Sequence, residues 1–337
     1  IPTLVVICGH EGRDGRPLPQ SPDSIVRAAH ARTQAETGVA LHALGEVEFF
    51  LGKRSDDTDV YGVADRGYHA ASPFVFGQPL RRRAMAVLHA MGVAVKYGHS
   101  EVGYVEPLEG QGLIWEQHEI ELALAPLPAA ADAIVLTQWV VRNLAHRAGM
   151  RCSTDPVLMT GHPGNGLHVH MSPVVDGRHA GGAGPDGSRP EPARRLIAAM
   201  VRAAAPLMAF GNRHDSSFLR LQQGLESPRG VYWAERDRHA LVRIPLVSGS
   251  APGPARAASV ATVELRLPDG SAMPHLLLAG LAQSFVDAAG IADLDGTLAA
   301  LRRGAADLPP LPRTHGQIAA ALERAAPMLS AGGVFPR

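Results

Sequence analysis

The sequence predicts an α+β fold, with strands and helices interleaved along the chain. Three observations predict it. Along the 337 residues, short segments that alternate apolar and polar side chains are interleaved with segments of helical period. Several alternating segments carry charge on one face only, as expected of strands with one packed and one chemically loaded side. Hydrophobic residues make up 46% of the chain, enough for a sizeable core.

In order along the chain, residues 1–20 read as strand, Asp-Gly turn and strand (PTLVVICG, GRDGRP). SPDSIVRAAHARTQAETG reads as a helix, with Pro22 and Asp23 in its first turn and Gly38 as its C-terminal cap. LHALGEVEFFL (41–51) is a strand, and QPLRRRAMAVLHAMG a helix ending at Gly92. VAVKYGHSEVGY and EQHEIELAL are strands, followed by the long helix LPAAADAIVLTQWVVRNLAHRAG, closed by Gly149. GLHVHMSPV is a strand, EPARRLIAAMVRAAAPLMAF a helix, and HALVRIPLV and ATVELRLPD are strands. MPHLLLAGLAQSFVDAAG and HGQIAAALERAA close the chain as helices. Residues 177–192 have the Gly/Pro composition of a surface loop, so GAGPDG (182–187) is a linker rather than a dinucleotide fingerprint, which needs a strand before it and a helix after. No Walker-type phosphate loop is present.

Lys+Arg and Asp+Glu both number 32, which argues against a nucleic-acid partner. The most apolar helical stretch is interrupted by Arg202 and Pro206, so no membrane span is expected. Two cysteines, Cys8 and Cys152, make no disulfide framework, and a reducing, cytoplasmic setting is expected.

Residues two apart on a strand share a face. Glu46 and Glu48 therefore point one way in GEVEFFL. So do Gln117, Glu119 and Glu121 in EQHEIELAL, His168, His170 and Ser172 in LHVHMS, and Glu264 and Arg266 in VELRL. Singly, each is an ordinary half-solvated strand. Together, if the faces converge, Glu46, Glu48, Glu101, Glu119 and Glu264 crowd five negative charges, which demands cations or raised pKa values. Oxygen-rich ligation with an imidazole suits Mg²⁺ or Mn²⁺ better than zinc, and two such ions point to phosphoryl transfer. Arg220, Arg236, Arg238, Arg243 and Arg266 suit the recognition of phosphate and carboxylate, or are solvated partners of Glu226 and Glu235.

These segments resemble, in order and over about residues 40–290, motifs of the glutamine synthetase family. GEVEFFL resembles the paired-glutamate strand, and HSEV followed by EQHEIELAL the HHEV…GQ-x-E segment. GLHVHMS resembles G-x-H-x-H-x-S. FLRLQQGLESP, AERDRHALVRIP and VELRLPDGSAMPHL resemble the family's later motifs. The resemblance implies a curved antiparallel sheet forming a metal-lined funnel with surrounding helices. It implies that Glu48, Glu101 and Glu119 hold one Mg²⁺ or Mn²⁺ and Glu46, His168 and Glu264 a second. It places His170, Ser172 and Arg243 near ATP, and Gly164, Arg220 and Arg266 at the glutamate. It also places Arg238 on the transferred phosphoryl group, Glu226 on a closing flap and Tyr68 at the ammonium site. The implied reaction joins ammonia, or an organic amine, to the γ-carboxylate of glutamate through γ-glutamyl phosphate. A ring-shaped homo-oligomer is implied as well.

The sequence departs from the family pattern at several positions: Ser100 in place of the second His of HHEV, Pro163, Thr262, Ala306 and an insertion around GYVEPLEGQGLIW. Residues 1–20 are expected to be the remnant of an N-terminal β-grasp domain, and 21–337 the catalytic domain. The departures keep two alternatives open, a γ-glutamyl ligase for an organic amine and a non-catalytic structural relative.

Overall fold

The computed structural model describes residues 3–54, 62–106, 112–182, 188–245, 260–302 and 310–336. Helix α1 (Pro22–Thr37) begins with proline in its first turn, where no N–H is needed, and stops at Gly38, whose φ of 70° lets its N–H reach Gln34 O. Strand β1 (Ala40–Arg54) follows, then α2 (Gln78–Ala90) and the strand pair β2 (Val95–Val105) and β3 (Leu113–Leu122). The chain continues through β4 (Ala125–Pro126), α3 (Leu127–Arg147), β5 (Arg151–Ser153), β6 (Leu167–Val175) and β7 (Arg178–His179). Next come α4 (Glu191–Arg202), α5 (Ala204–Gly211), α6 (Asp215–Gln223), β8 (Gly230–Glu235), β9 (Ala240–Ile244) and β10 (Val263–Leu265). Helices α7 (Pro274–Asp287), α8 (Leu294–Ala300) and α9 (His315–Ser330) complete the described chain.

The strands form one open sheet in the order β2-β3-β1-β6-β10-β9-β8, with β4 and β5 beside β1 and β7 beside β6. Every pairing is antiparallel except β8 with β9. This is the α+β architecture the sequence predicts. The odd-numbered face of β1 (Leu41, Ala43, Val47, Phe49, Leu51) is fully buried under the helices. Gly45 interrupts that row because a Cβ there would lie 2.8 Å from Ile134 Cγ1, so the missing side chain lets α3 come close. Beneath β1, α2 and α3 pack Leu80, Leu88, Ile134 and Val141 in one cluster. Apolar α7 (Leu277, Leu278, Leu281, Phe285) sits in a second cluster, against α1, α3, α4 and α5. The opposite, even-numbered face carries His42, Glu46 and Glu48 alongside the buried apolar Leu44 and Phe50.

Four local expectations change. The helix expected over EPARRLIAAMVRAAAPLMAF breaks at Ala203 into α4 and α5. Pro206 lacks the N–H that would bond Arg202 O, and its ring crowds that carbonyl. In residues 3–20 the Asp-Gly turn forms, with Gly15 at φ 72° and Gly12 N bonding Arg16 O at 2.8 Å. The flanking strands reduce to one bridge, Glu11 with Pro17, because Pro17 and Pro19 offer no donor and Leu4 and Val6 pack on nothing. Six elements, α6, α8, β8 and the short strands β4, β5 and β7, add to those expected, β7 within the stretch expected to be a loop. The insertion lengthens the β2–β3 hairpin, pairing Tyr104 with Glu116 and Val105 with Trp115, and its tip at 107–111 lies outside the described residues. So do Ala306 and most of GAGPDG.

Candidate active site

The register of the sheet assembles the polar face. His99 on β2 stands opposite Glu119 on β3, and Glu119 opposite Glu48 on β1. Glu46, two residues earlier on β1, faces His168 on β6. His170 then faces Glu264 on β10, and Glu264 faces Arg243 on β9. One line of cross-strand neighbours thus brings together residues more than two hundred positions apart in the chain.

The contacts are close. His168 Nδ1 lies 2.8 Å from Glu46 and 3.8 Å from Glu264, while its Nε2 lies 3.7 Å from Glu48. His170 Nε2 is 2.9 Å from Glu46, and its Nδ1 shares a proton with Thr262 Oγ1 at 2.9 Å. His99 sits 3.1 Å from Glu101 and 3.6 Å from Glu119. Glu48 accepts from Gly166 N at 2.7 Å and from Gln117 Nε2 at 3.1 Å. Glu264, wholly buried, accepts from Arg266 Nη1 at 2.5 Å and Arg243 Nη1 at 3.0 Å.

Burial and crowding set the protonation states. Burial, reinforced by Glu101, pushes the Glu48 carboxyl up to about 8. Burial and the charges of Glu46, Glu101, Glu48 and Glu121 also push Glu119 well above the usual range. Glu46 is only partly exposed, and desolvation works the same way on it, yet the charge of His170 and hydrogen bonds from both imidazoles hold it well below. Burial, and then Arg266, pull the His168 imidazole down to about 4, leaving it neutral and able to ligate. Repelling, desolvated carboxylates next to a neutral imidazole are the donor set of a hard divalent cation, so the residues fit Mg²⁺ or Mn²⁺. Among the described residues, three triplets have ligand atoms within 4.8 Å of one another: Glu46, Glu119 and His168; Glu46, His170 and Glu264; His99, Glu101 and Glu119. Neither implied ligand set appears among them as one triplet: Glu48 is in none of the three, and His170 and His99 take places in two of them.

The arginines close the other side. Arg266 is nearly buried, and besides Glu264 it donates from Nε to Arg238 O at 2.9 Å. Arg220 is buried, with Nη1 on Leu267 O (3.2 Å) and Pro268 O (3.3 Å) and Nη2 against Gly166, where a Cβ would lie 2.8 Å away. It is anchored directly beneath the 164–166 loop, and Gly164 O there takes a bond from Gln117 at 3.1 Å. Arg238 stacks 5.3 Å over the Tyr68 ring and lies 3.8 Å from Glu226, whose φ is 50°. Glu46, Glu119, Arg238, Arg243 and Arg266 wall a cavity of about 200 Å³, which Ser172, His168, His170, Glu48, Glu264 and Arg220 do not line; the buried Ser172 hydroxyl has no partner among the described residues.

That cavity is also walled by Tyr97, His69 and His99, to which sequence reasoning gave no role. His99 packs with Tyr97 (5.1 Å between ring centres) and His69 (4.7 Å), and Tyr68 lies 4.4 Å from His69. Tyr97, His99 and Glu101 stand two apart on β2, so the alternation that marks Glu46 and Glu48 marks them too. Ser100, pointing to the other face, accepts from Arg81 on α2 at 3.0 Å and donates to Ala70 O at 2.9 Å, tying the Tyr68–Ala70 loop to the strand that bears Glu101.

Residues 19–331 match the family described as glutamine synthetase, catalytic domain. The chain is 30% identical over 287 residues to a glutamine synthetase of Thermus thermophilus, covering 84% of this chain and 59% of that one. It is 31% identical over 289 residues to one of Clostridium saccharobutylicum, covering 84% and 60%. It thus spans about three-fifths of the length of these curated relatives. In structure it resembles a Plasmodium falciparum glutamine synthetase solved by electron cryomicroscopy, with TM-score 0.77, 18% identity and coverage of 97% and 75%. It also resembles a protein solved as a GmaS/ADP complex, with TM-score 0.72, 21% identity and coverage of 95% and 71%. Among the described residues, no helix is long and apolar enough to cross a membrane.

Proposed function

The chain belongs to the glutamine synthetase family through its catalytic domain, and from that premise we propose an ATP-dependent carbon–nitrogen ligase that forms an amide at the γ-carboxylate of glutamate, with ammonia as the nitrogen donor. The observation that carries the reading is the single line of side chains from His99 through Glu119, Glu48, Glu46, His168, His170 and Glu264 to Arg243.

In this reading Glu48, Glu101 and Glu119 hold one divalent cation, and Glu46, His168 and Glu264 a second. Cations held by these residues would supply positive charge to the nucleotide phosphates. Arg243 and His170 face the nucleotide. Ser172, away from the cavity, is the weakest member of that set. Arg266 grips the amino-acid carboxylate, and Arg220, pinned to two backbone carbonyls, shapes the 164–166 loop against which the substrate lies. The γ-carboxylate attacks the terminal phosphorus of ATP, the bond from that phosphorus to the bridging oxygen breaks, ADP leaves with the electron pair, and Arg238 steadies the transferred group. Glu226 closes over the acyl phosphate and excludes water, which would otherwise hydrolyse it. Tyr68 flanks the incoming nitrogen. The cytoplasmic setting and the ring-shaped homo-oligomer belong to the same proposal, the latter checked by light scattering.

The test is phosphate release by the full-length protein. It is expected to require glutamate, ammonium and Mg²⁺ or Mn²⁺ together, and no release with ammonium or any amine rejects ligase activity. A second reading, an organic amine as acceptor, is favoured by the Tyr68, His69, Tyr97 and His99 rings, whose faces attract cations.

A further inference from the structure

The loop between β5 and β6 divides into two halves. Its inner half, residues 164–166, is fixed to the metal-ligand cluster and its surroundings. Gly166 N donates to Glu48 at 2.7 Å, Gln117 Nε2 donates to Gly164 O at 3.1 Å, and Asn165 Nδ2 donates to Asp155 O at 2.9 Å. The outer half, residues 160–163, belongs to no helix or strand, and Thr160 and Gly161 in it are exposed. Pro163 has no N–H with which to anchor it.

Among the described residues, two side chains from elsewhere hold this outer half. Gln223, the last residue of α6, accepts from Gly161 N at 2.5 Å. The Asp65 carboxylate faces His162 Nδ1, 3.1 Å from Oδ1 and 2.9 Å from Oδ2. A carboxylate only accepts, so Nδ1 carries the proton. The two side chains are 23% and 30% exposed, so the bond is partly shielded from water. Asp65 is itself held in place. Its φ is 51°, a conformation Asp tolerates better than most residues, and it exchanges bonds with Tyr104: Asp65 N donates to Tyr104 O and Tyr104 N to Asp65 Oδ1, both at 3.3 Å. Three loops therefore meet at the 161–162 turn. They are its own, the 62–75 loop that bears Tyr68, and the loop after α6 that bears Glu226.

We propose that His162 and Asp65 are positioning residues for the amino-acid substrate: their bond latches the outer half of the loop to the 62–75 loop and so keeps residues 164–166 in the conformation that receives glutamate. The inference rests on the ligase reading above. Without the bond the outer half is held at Gly161 alone. The loop then spends part of its time in arrangements that do not receive substrate, and apparent affinity falls with the competent fraction. His170 and Arg243, on the nucleotide side, stand on β6 and β9, whose pairings with β1 and β10 do not involve the outer half. The latch therefore acts on glutamate and not on ATP.

The experiment measures phosphate release by the full-length protein, at saturating ammonium, against glutamate and then against ATP. The variants are His162→Ala, His162→Asn, Asp65→Gly and the double variant His162→Ala/Asp65→Gly. Asparagine returns an N–H donor close to where the imidazole Nδ1 stood, and glycine accepts the left-handed backbone at 65 without strain. His162→Ala and Asp65→Gly are each expected to raise KM for glutamate about three- to tenfold, as suits a partly shielded bond to a charged group, with kcat and KM for ATP within twofold. The double variant is expected to match the single ones rather than multiply them, and His162→Asn to stay within twofold of the unaltered protein. Unchanged KM for glutamate, an equal rise for ATP, effects that multiply, or His162→Asn as impaired as His162→Ala overturns the proposal. Should Asp65→Gly fail to fold, the two His162 variants decide. If no nitrogen donor gives turnover, the ligase reading fails, and hydrogen exchange over residues 158–166 decides the latch separately. Faster exchange in His162→Ala that His162→Asn restores supports it, and equal exchange in all three proteins overturns it.

Discussion

Glu264 is enclosed by positive charge, with Arg266 and Arg243 on its two oxygens and His168 close by. Arg266 and the positive charge of His170 hold its carboxyl below the usual range although burial works the other way. Removing one partner of such a buried set leaves the others uncompensated, typically at a cost of about 3–5 kcal/mol. Glu264→Gln keeps the shape and an acceptor but loses the charge. It is expected to lower the unfolding free energy measured in urea by an amount in that range and to weaken Mn²⁺ binding in calorimetry. Unchanged stability would mean that the arginines find other partners. The three groups stand at visible period-two positions in the sequence. Their mutual distances depend on a register between β6, β10 and β9 that no local pattern contains.

The loop between α6 and β8 shows how an element can be tuned for something other than stability. Ser227 anchors it to Arg220 O at 3.0 Å, and Arg229 reaches back to Gly224 O at 3.2 Å. Between these anchors Glu226 is held at φ 50°, a left-handed conformation that costs a residue with a side chain about 1–2 kcal/mol. Glu226→Gly relieves that cost, less the extra entropy glycine loses on folding, so a stability gain of up to about 1 kcal/mol is expected in urea unfolding. The same change removes the carboxylate proposed to close the site, so less amide is expected per phosphate released. A variant that is both less stable and fully coupled would contradict the assignment. Legibility follows the same division. Regular elements with a clear period or cap, such as α1 with Pro22 and Gly38, are visible in sequence. Helix α6 is hidden, because its capping box uses His214 and Ser217 rather than the usual Ser or Thr with Glu or Gln. The ring cluster is hidden because His69 comes from a loop whose position Ser100 and Arg81 fix from another strand and a helix.

At the scale of the whole molecule, the proposed ligands come from β1, β2, β3, β6 and β10, so a bound cation would cross-link most of the sheet. Binding of that kind stabilises by mass action, about 2.7 kcal/mol at a hundredfold excess over Kd. The pKa shifts give it a pH dependence of definite sign. Glu48 has its folded pKa raised to about 8, so the folded chain keeps a proton that the unfolded chain loses near 4.5. Stability from this group is full below 4.5 and is lost as pH rises through 8. His168 is opposite: its folded pKa is depressed to about 4 from 6.5, so its contribution is full above 6.5 and is lost as pH falls through 4. Of these two groups, only Glu48 still changes between pH 6.5 and 8, and there the cation-free protein is expected to lose stability, by at most roughly 2 kcal/mol over 1.5 units. A divalent cation takes the place of that proton, so it removes the loss. The rise in Tm on adding saturating Mn²⁺ is therefore expected to be larger at pH 8 than at pH 6.5, by a few degrees, and to be reversed by a chelator. Equal rises at both pH values would show that Glu48 is already ionised without the cation. A smaller rise at pH 8 would place the ion away from Glu48 altogether.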